Sequence, residues 1–78
     1  MPTVLNEGPY RFFFGALDYA EPPHIHVKRD NKVAKFWLDP VALQKTGRFS
    51  RSELNRIGRL VHEHQELFLE SWYEFFGH

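Results

Sequence analysis

Pro22-Pro23-His24-Ile25-His26-Val27-Lys28-Arg29-Asp30-Asn31-Lys32-Val33-Ala34-Lys35-Phe36-Trp37-Leu38 is the stretch on which the fold turns. Two runs rich in β-branched and aromatic residues flank Asp30-Asn31, and both turn residues tolerate the positive φ that a two-residue hairpin turn demands. The stretch therefore reads as a β-hairpin. With Asp30 and Asn31 at the turn, Arg29 faces Lys32, His26 faces Lys35 and His24 faces Trp37.

Side chains alternate with period two along a strand, so this register divides the hairpin into unlike faces. One face carries Ile25, Val27, Ala34, Phe36 and Leu38 and requires a core. The other carries His24, His26, Lys28, Val33, Lys35 and Trp37 and is expected to face outward. An antiparallel sheet commonly leaves one side in water, so polarity alone gives that second face no function. Its histidines and aromatic cations do make it the place to look for one.

Composition narrows the choices. The chain has 78 residues and no cysteine, which limits it to one domain, 1–78, whose small core has no disulfide to staple it. Eight Phe, three Tyr and two Trp must supply much of the burial. The formal charge is zero, which argues against a general nucleic-acid coat protein. Residues 1–51 nevertheless hold eight Lys or Arg against five acids, whereas residues 52–78 hold two against five. A basic sheet side and an acidic helix side are expected. No apolar run is long enough for a membrane span, and the N-terminus lacks the pattern of a signal peptide. With the absence of cysteine, this points to a cytoplasmic protein that does not engage membrane.

Working outward, residues 3–6 make a short candidate strand ended by Glu7-Gly8-Pro9, and Tyr10-Arg11-Phe12-Phe13-Phe14 makes an aromatic one. Residues 15–21 form a loop, because Pro22-Pro23 cannot donate to a ladder. Residues 39–49 are a connector. Asp39-Pro40 would cap a short helix ended by Gly47, while alternating Val41 and Leu43 would serve a strand equally well. Ser50 and Glu53 form a capping box, flanked by Phe49 and Leu54 at staple positions. A single helix over 50–76 follows, with Leu54, Ile57, Leu60, Val61, Leu67, Phe68, Trp72, Phe75 and Phe76 on one arc. It would run about 39 Å, more than three strands can cover. Trp72, Phe75 and Phe76 at its far end are therefore candidates for contact with a partner chain or a second copy. The fold class is α+β: a small antiparallel sheet of about three strands packed by one long C-terminal helix.

Three chemistries compete on the hairpin's outer face. His24 and His26, two residues apart on a strand, share a face and would serve acid–base cleavage of RNA without a metal. Arg11, Lys28 and Lys35 would neutralise phosphate, or meet a partner, and Trp37 or Phe13 would stack a base. Two imidazoles also suit a metal, but two ligands are not a site, and Asp18 or Glu21 would have to fold over from the loop. No metal or other cofactor is therefore assigned, and whether the chain is an enzyme stays open. His64 projects into the helix's apolar arc and is expected to be a core histidine bonded to a sheet or loop carbonyl. His62, at the edge of that arc, and His78, at the terminus, receive no role.

Met1-Pro2-Thr3-Val4, Tyr10-Arg11-Phe12-Phe13-Phe14, Glu21-Pro22-Pro23-His24-Ile25-His26-Val27, Ala34-Lys35-Phe36-Trp37-Leu38 and Phe49-Ser50-x-x-Glu53-Leu54 together resemble a bacterial family known as domain of unknown function 4160. The resemblance covers nearly the whole chain. It implies one member, on the toxin side, of a toxin–antitoxin-like pair whose partner is encoded nearby. It brings no catalytic assignment for Glu21, Pro22, Pro23, His24 or His26. The function expected is thus protein–protein interaction within such a pair, with a small ribonuclease-like enzyme as the alternative.

Overall fold

The Asp30-Asn31 hairpin forms in the register read from the sequence: Arg29 opposite Lys32, His26 opposite Lys35, His24 opposite Trp37. Asp30 takes a φ of 56° at the turn. In the computed structural model, which describes residues 3–77, this hairpin is the middle of a five-stranded antiparallel meander. The strands are β1 (Thr3–Glu7), β2 (Tyr10–Phe13), β3 (His24–Arg29), β4 (Lys32–Leu38) and β5 (Val41–Lys45), and they lie side by side in chain order. Met1 and Pro2 of the N-terminal string, and His78, lie outside the described residues.

The sheet has five strands where the sequence suggested about three. Its edges are the candidate strand at residues 3–6 and the stretch 41–45, for which helix and strand signals are balanced. β1 pairs with β2 around Gly8-Pro9, and β5 pairs with β4 around Asp39-Pro40, with Leu38 opposite Val41 and Phe36 opposite Leu43. Residues 41–45 are thus a strand rather than a helix. A helix of one turn could not offset the cost of nucleating it, whereas the free edge of β4 offers those residues a ladder. Gly47, expected to stop a helix, instead passes close to β4. Its φ is +62°, and a Cβ there would lie 1.9 Å from the carbonyl oxygen of Val33, so only glycine fits.

Two helices follow instead of one: α1 (Arg51–Glu63) and α2 (Gln65–Phe76). The break falls at His64, whose φ and ψ of −106° and 16° leave the helical region. There the Gln65 side-chain amide donates to the carbonyl oxygen of Leu38 at 2.7 Å, tying the bend to the end of β4. A straight helix of 26 residues would run about 39 Å, whereas the longest dimension of this molecule is 34 Å. The bend keeps the apolar stripe on the sheet. Ile57, Val61, Phe68 and Trp72 are all buried, two on each side of it.

The core lies where the alternation placed it. Ile25, Val27, Ala34 and Leu38 show no exposed surface and Phe36 is buried, packed with Phe12, Phe14 and the helical stripe. Aromatic rings carry much of the contact. Phe12 meets Phe68 at 5.2 Å between centroids, Phe14 meets Trp72 edge-on at 5.4 Å, and Trp72 meets Phe76 at 4.3 Å. Trp72, assigned from the sequence to the partner-facing end, is 1% exposed and belongs to the core. Phe14, from the end of β2, and Phe76 of α2 close over it. Among the described residues, no helix is long and apolar enough to cross a membrane.

The N-terminus of α1 is anchored as well as capped. Ser50 Oγ accepts the Glu53 amide at 3.1 Å, as a capping box requires. The Glu53 carboxylate reaches the sheet: its Oε2 accepts from the Tyr10 hydroxyl at 2.9 Å and from Arg29 at 2.7 Å. One carboxylate thereby joins α1 to β2 and β3. The Tyr10 hydroxyl first, then Arg29, hold its pKa below the ordinary value against a smaller effect of burial. A carboxyl with a lowered folded-state pKa stabilises the fold above its unfolded-state pKa and loses that contribution as pH falls through the folded one. Glu53→Gln should therefore be less stable than the parent at neutral pH, and the two should converge as pH drops below about 4.3. Thermal unfolding across pH checks this; a gap that persists unchanged into strong acid contradicts it.

Candidate functional site

β3 begins abruptly because Pro22 and Pro23 precede it, and its first residue is His24. Pro23 still contributes an acceptor: the Leu38 amide donates to its carbonyl at 3.0 Å and fixes where the loop meets the sheet. Leading into this point, Gly15 opens a loop that contains a short 3-10 turn over Asp18–Ala20. The Gly15 amide donates to Asp18 Oδ2 at 2.7 Å, which folds the loop back over the start of β3.

Asp18 thereby reaches both strand histidines. Its Oδ2 lies 2.9 Å from His24 Nε2 and 2.9 Å from His26 Nε2. These two contacts differ in kind. The His26 contact is a hydrogen bond, with Nε2–H donating to the carboxylate. His24 is oriented from its other side, where Nδ1 lies 3.0 Å from the Pro22 carbonyl oxygen. A carbonyl can only accept, so Nδ1 carries a proton and, in the Nδ1–H tautomer, Nε2 presents a lone pair. That lone pair is directed at a carboxylate. The approach lacks hydrogen-bond geometry despite its short distance, and Nε2 is a buried atom without a hydrogen-bond partner. Such a group typically costs about 1–3 kcal/mol.

His24 is 0% exposed, which corrects its expected outward placement. The backbone alternation holds, but side chains from elsewhere enclose the imidazole. Trp72 reaches it from α2 at 5.1 Å between ring centroids, Trp37 packs edge-on at 5.7 Å, and Asp18 closes over it. His26 is more open. Phe13 stacks on its ring at 5.3 Å, and 21% of its side chain remains exposed. Burial pulls the His26 pKa below its ordinary value, outweighing the opposing attraction of Asp18. For Asp18, burial alone would raise the pKa, but the Gly15 amide and the two imidazoles hold it below the ordinary value. Near neutral pH the cluster is therefore a carboxylate with a neutral His26.

The basic residues around this cluster are less free than the sequence implied. Lys35, opposite His26, forms an ion pair with Glu21 and lies over the Trp37 ring at 4.9 Å. That Lys35 contact is also the main cause of the lowered Glu21 pKa. Arg11 donates to Thr3 Oγ1 at 2.7 Å and covers the Phe13 ring at 4.6 Å. Lys28 is exposed. Trp37 is half-buried. At the opposite end of the molecule's chain, Phe75 is 48% exposed and Phe76 is half-buried. His62 is exposed and joins no cluster of metal-ligating groups, and His64 is half-buried beside Phe68. Beside it, Gln65 bonds the Leu38 carbonyl at the end of β4.

Among the described residues, Asp18, His24 and His26 form a group able to hold a metal ion, their ligand atoms all within 4.8 Å of one another. Asp18 is the member that strand periodicity could not supply. The only signal for it was a loop acid bracketed by Gly15 and Pro22.

The sheet meander, the two packed helices and the histidine-bearing strand behind a Pro-Pro step define a small α+β domain with one loop-covered polar cluster. The chain belongs to the family described as Domain of unknown function (DUF4160), whose model matches residues 10–73. No curated protein and no solved structure matches it.

The loop's dependence on Asp18 is testable by amide exchange. Asp18→Ala should accelerate exchange at the Gly15 amide, whereas Asp18→Asn, which keeps an acceptor oxygen, should preserve more of its protection. Equal acceleration in both variants, or none in either, contradicts the clasp.

Proposed function

We propose that the chain is the toxin-side member of a bacterial toxin–antitoxin-like pair and acts by binding its partner protein through an aromatic surface at the end of α2. One observation carries this reading: aromatic rings at the end of α2 and on the adjoining loop form a partly exposed cluster. Phe75 and Tyr19 are 48% and 53% exposed, on a domain too small to spare aromatic surface from its core. The Phe75 ring lies 4.7 Å from that of Phe76, and Phe76 lies 6.5 Å from Tyr19 on the loop. Beside them is a groove of about 410 Å³ lined by Thr3, Val4, Phe14, Ser71, Glu74 and Phe75. Partly exposed aromatic clusters of this kind mark interaction surfaces, because water is a poor neighbour for them. Membership of the family agrees with the reading, since the family resemblance implies a partner encoded nearby. Trp72 contributes from beneath by supporting the rings and does not itself meet the partner.

A second reading is favoured by the contact between Asp18 and His26. The carboxylate would orient the imidazole for proton transfer on an RNA phosphodiester, with Lys28 and Trp37 on the substrate. In that reading His24, enclosed as it is, holds Asp18 rather than meeting the RNA.

Coexpression with the small protein encoded beside it separates the two. Phe75→Ala should raise the Kd for that partner at least about tenfold with the fold retained, as loss of an exposed aromatic anchor does. His26→Ala should leave the affinity alone. An unchanged Kd in the aromatic variant contradicts the proposal, and loss of growth inhibition in His26→Ala alone would favour the second reading.

A further inference from the structure

We propose that Asp18, His24 and His26 form a binding site for one divalent first-row transition-metal ion of the zinc type. The proposal stands on the geometry of the loop and β3 and does not depend on the partner surface. Its donors are two imidazole nitrogens and one carboxylate oxygen. That set suits zinc, cobalt(II) or iron(II) and is poor for magnesium or calcium, which prefer oxygen, and for copper(I), which prefers sulfur.

The observation that points to a ligand is His24. Its Nε2 is a buried acceptor without a hydrogen-bond partner, aimed at the Asp18 carboxylate 2.9 Å away. Two electron-rich atoms at that separation repel, and a positive centre shared by both, a metal ion where no proton takes that place, relieves the repulsion. The Nδ1–H donated to the Pro22 carbonyl is the support that metal-binding histidines generally have, since it fixes the ring and leaves Nε2 to the ion. His26 offers Nε2 to the same oxygen at 2.9 Å and would bind as its Nδ1–H tautomer.

The donor spacings bracket those of an occupied site. Ligand bonds of about 2.0–2.2 Å in a tetrahedron place donor atoms about 3.3 Å apart. Here two separations are 2.9 Å and none exceeds 4.8 Å. Admitting the ion takes Asp18 Oδ2 drawing back slightly and the two imidazole nitrogens turning toward each other about their side-chain bonds. Three protein donors leave a position vacant. His24 lies at the enclosed side, while the Asp18 and His26 side chains keep 18% and 21% of their surface, so the vacant position faces solvent. Water or a phosphate oxygen would complete the shell there. Glu21 is not the missing ligand, because it lies 3.7 Å from the Nδ1 side of His24 and is paired with Lys35.

The test uses the full chain, purified without an affinity tag and freed of metal with a chelator. Calorimetric titration with zinc should give one ion per chain, and cobalt(II) should produce the visible absorbance of a low-coordinate nitrogen–oxygen site. Asp18→Ala and His26→Ala should each weaken zinc binding at least about a hundredfold, and zinc should raise the unfolding temperature of the parent but not of these variants. His62→Ala and His64→Ala should bind as the parent does. Because His24 is buried, the proposal is judged on the Asp18 and His26 variants, with circular dichroism confirming that they fold. It is overturned if zinc binds only at millimolar concentration, if binding survives both substitutions, or if loss follows His62 or His64 instead. An unchanged partner affinity in Phe75→Ala beside intact zinc binding would sink the partner reading and leave this one standing.

Discussion

Alternation along β3 and β4 is the constraint on which the molecule depends. Ile25, Val27, Ala34, Phe36 and Leu38 can all lie beneath the helices only in one register. A slip of one residue would turn that apolar set to solvent and bring Lys28, Lys35 and the histidines into the core. The core therefore fixes the site. Once the aliphatic side is covered by Ile57, Val61, Phe68 and Trp72, His24 and His26 must share the other side, one strand step apart.

What converts that shared side into a cluster is the loop between β2 and β3. Asp18 Oδ2 takes the Gly15 amide and the His26 Nε2–H, and stands against His24 Nε2. Pro22 and Pro23 contribute as acceptors, one setting the His24 tautomer and the other receiving the Leu38 amide. An enclosed imidazole with an unmatched lone pair opposes stability, and a small domain has little to spare. Features of this kind are expected where a site, rather than the fold, determines the residues. The aromatic end of α2 borders the same loop through Tyr19 and Phe76, so a partner seated there would lie next to Asp18.

The parts legible in the sequence were those governed by local rules. Period two placed the hairpin register and its buried face, and the Ser50 cap marked the start of α1. The parts left open or misjudged are decided by distant neighbours. Residues 41–45 satisfy helix and strand signals alike, and only the open edge of β4 resolves them. Nothing in the sequence around His64 breaks a helix; the limited span of the sheet and the Gln65 bond to Leu38 do. His24 looked outward because alternation says where a side chain starts, not what comes to cover it. Trp72 lies 48 positions downstream in the chain, and Asp18 sits on a loop with no periodicity to read.

The central claim is that His24 is held as the Nδ1–H tautomer with a bare Nε2 directed at Asp18. Nitrogen-15 correlation spectra of the imidazole rings in metal-free protein at neutral pH measure this directly. The account predicts a pyridine-type Nε2 and a protonated Nδ1 for His24. A ring protonated at Nε2, alone or together with Nδ1, would make the cluster an ordinary hydrogen-bonded clasp and contradict it.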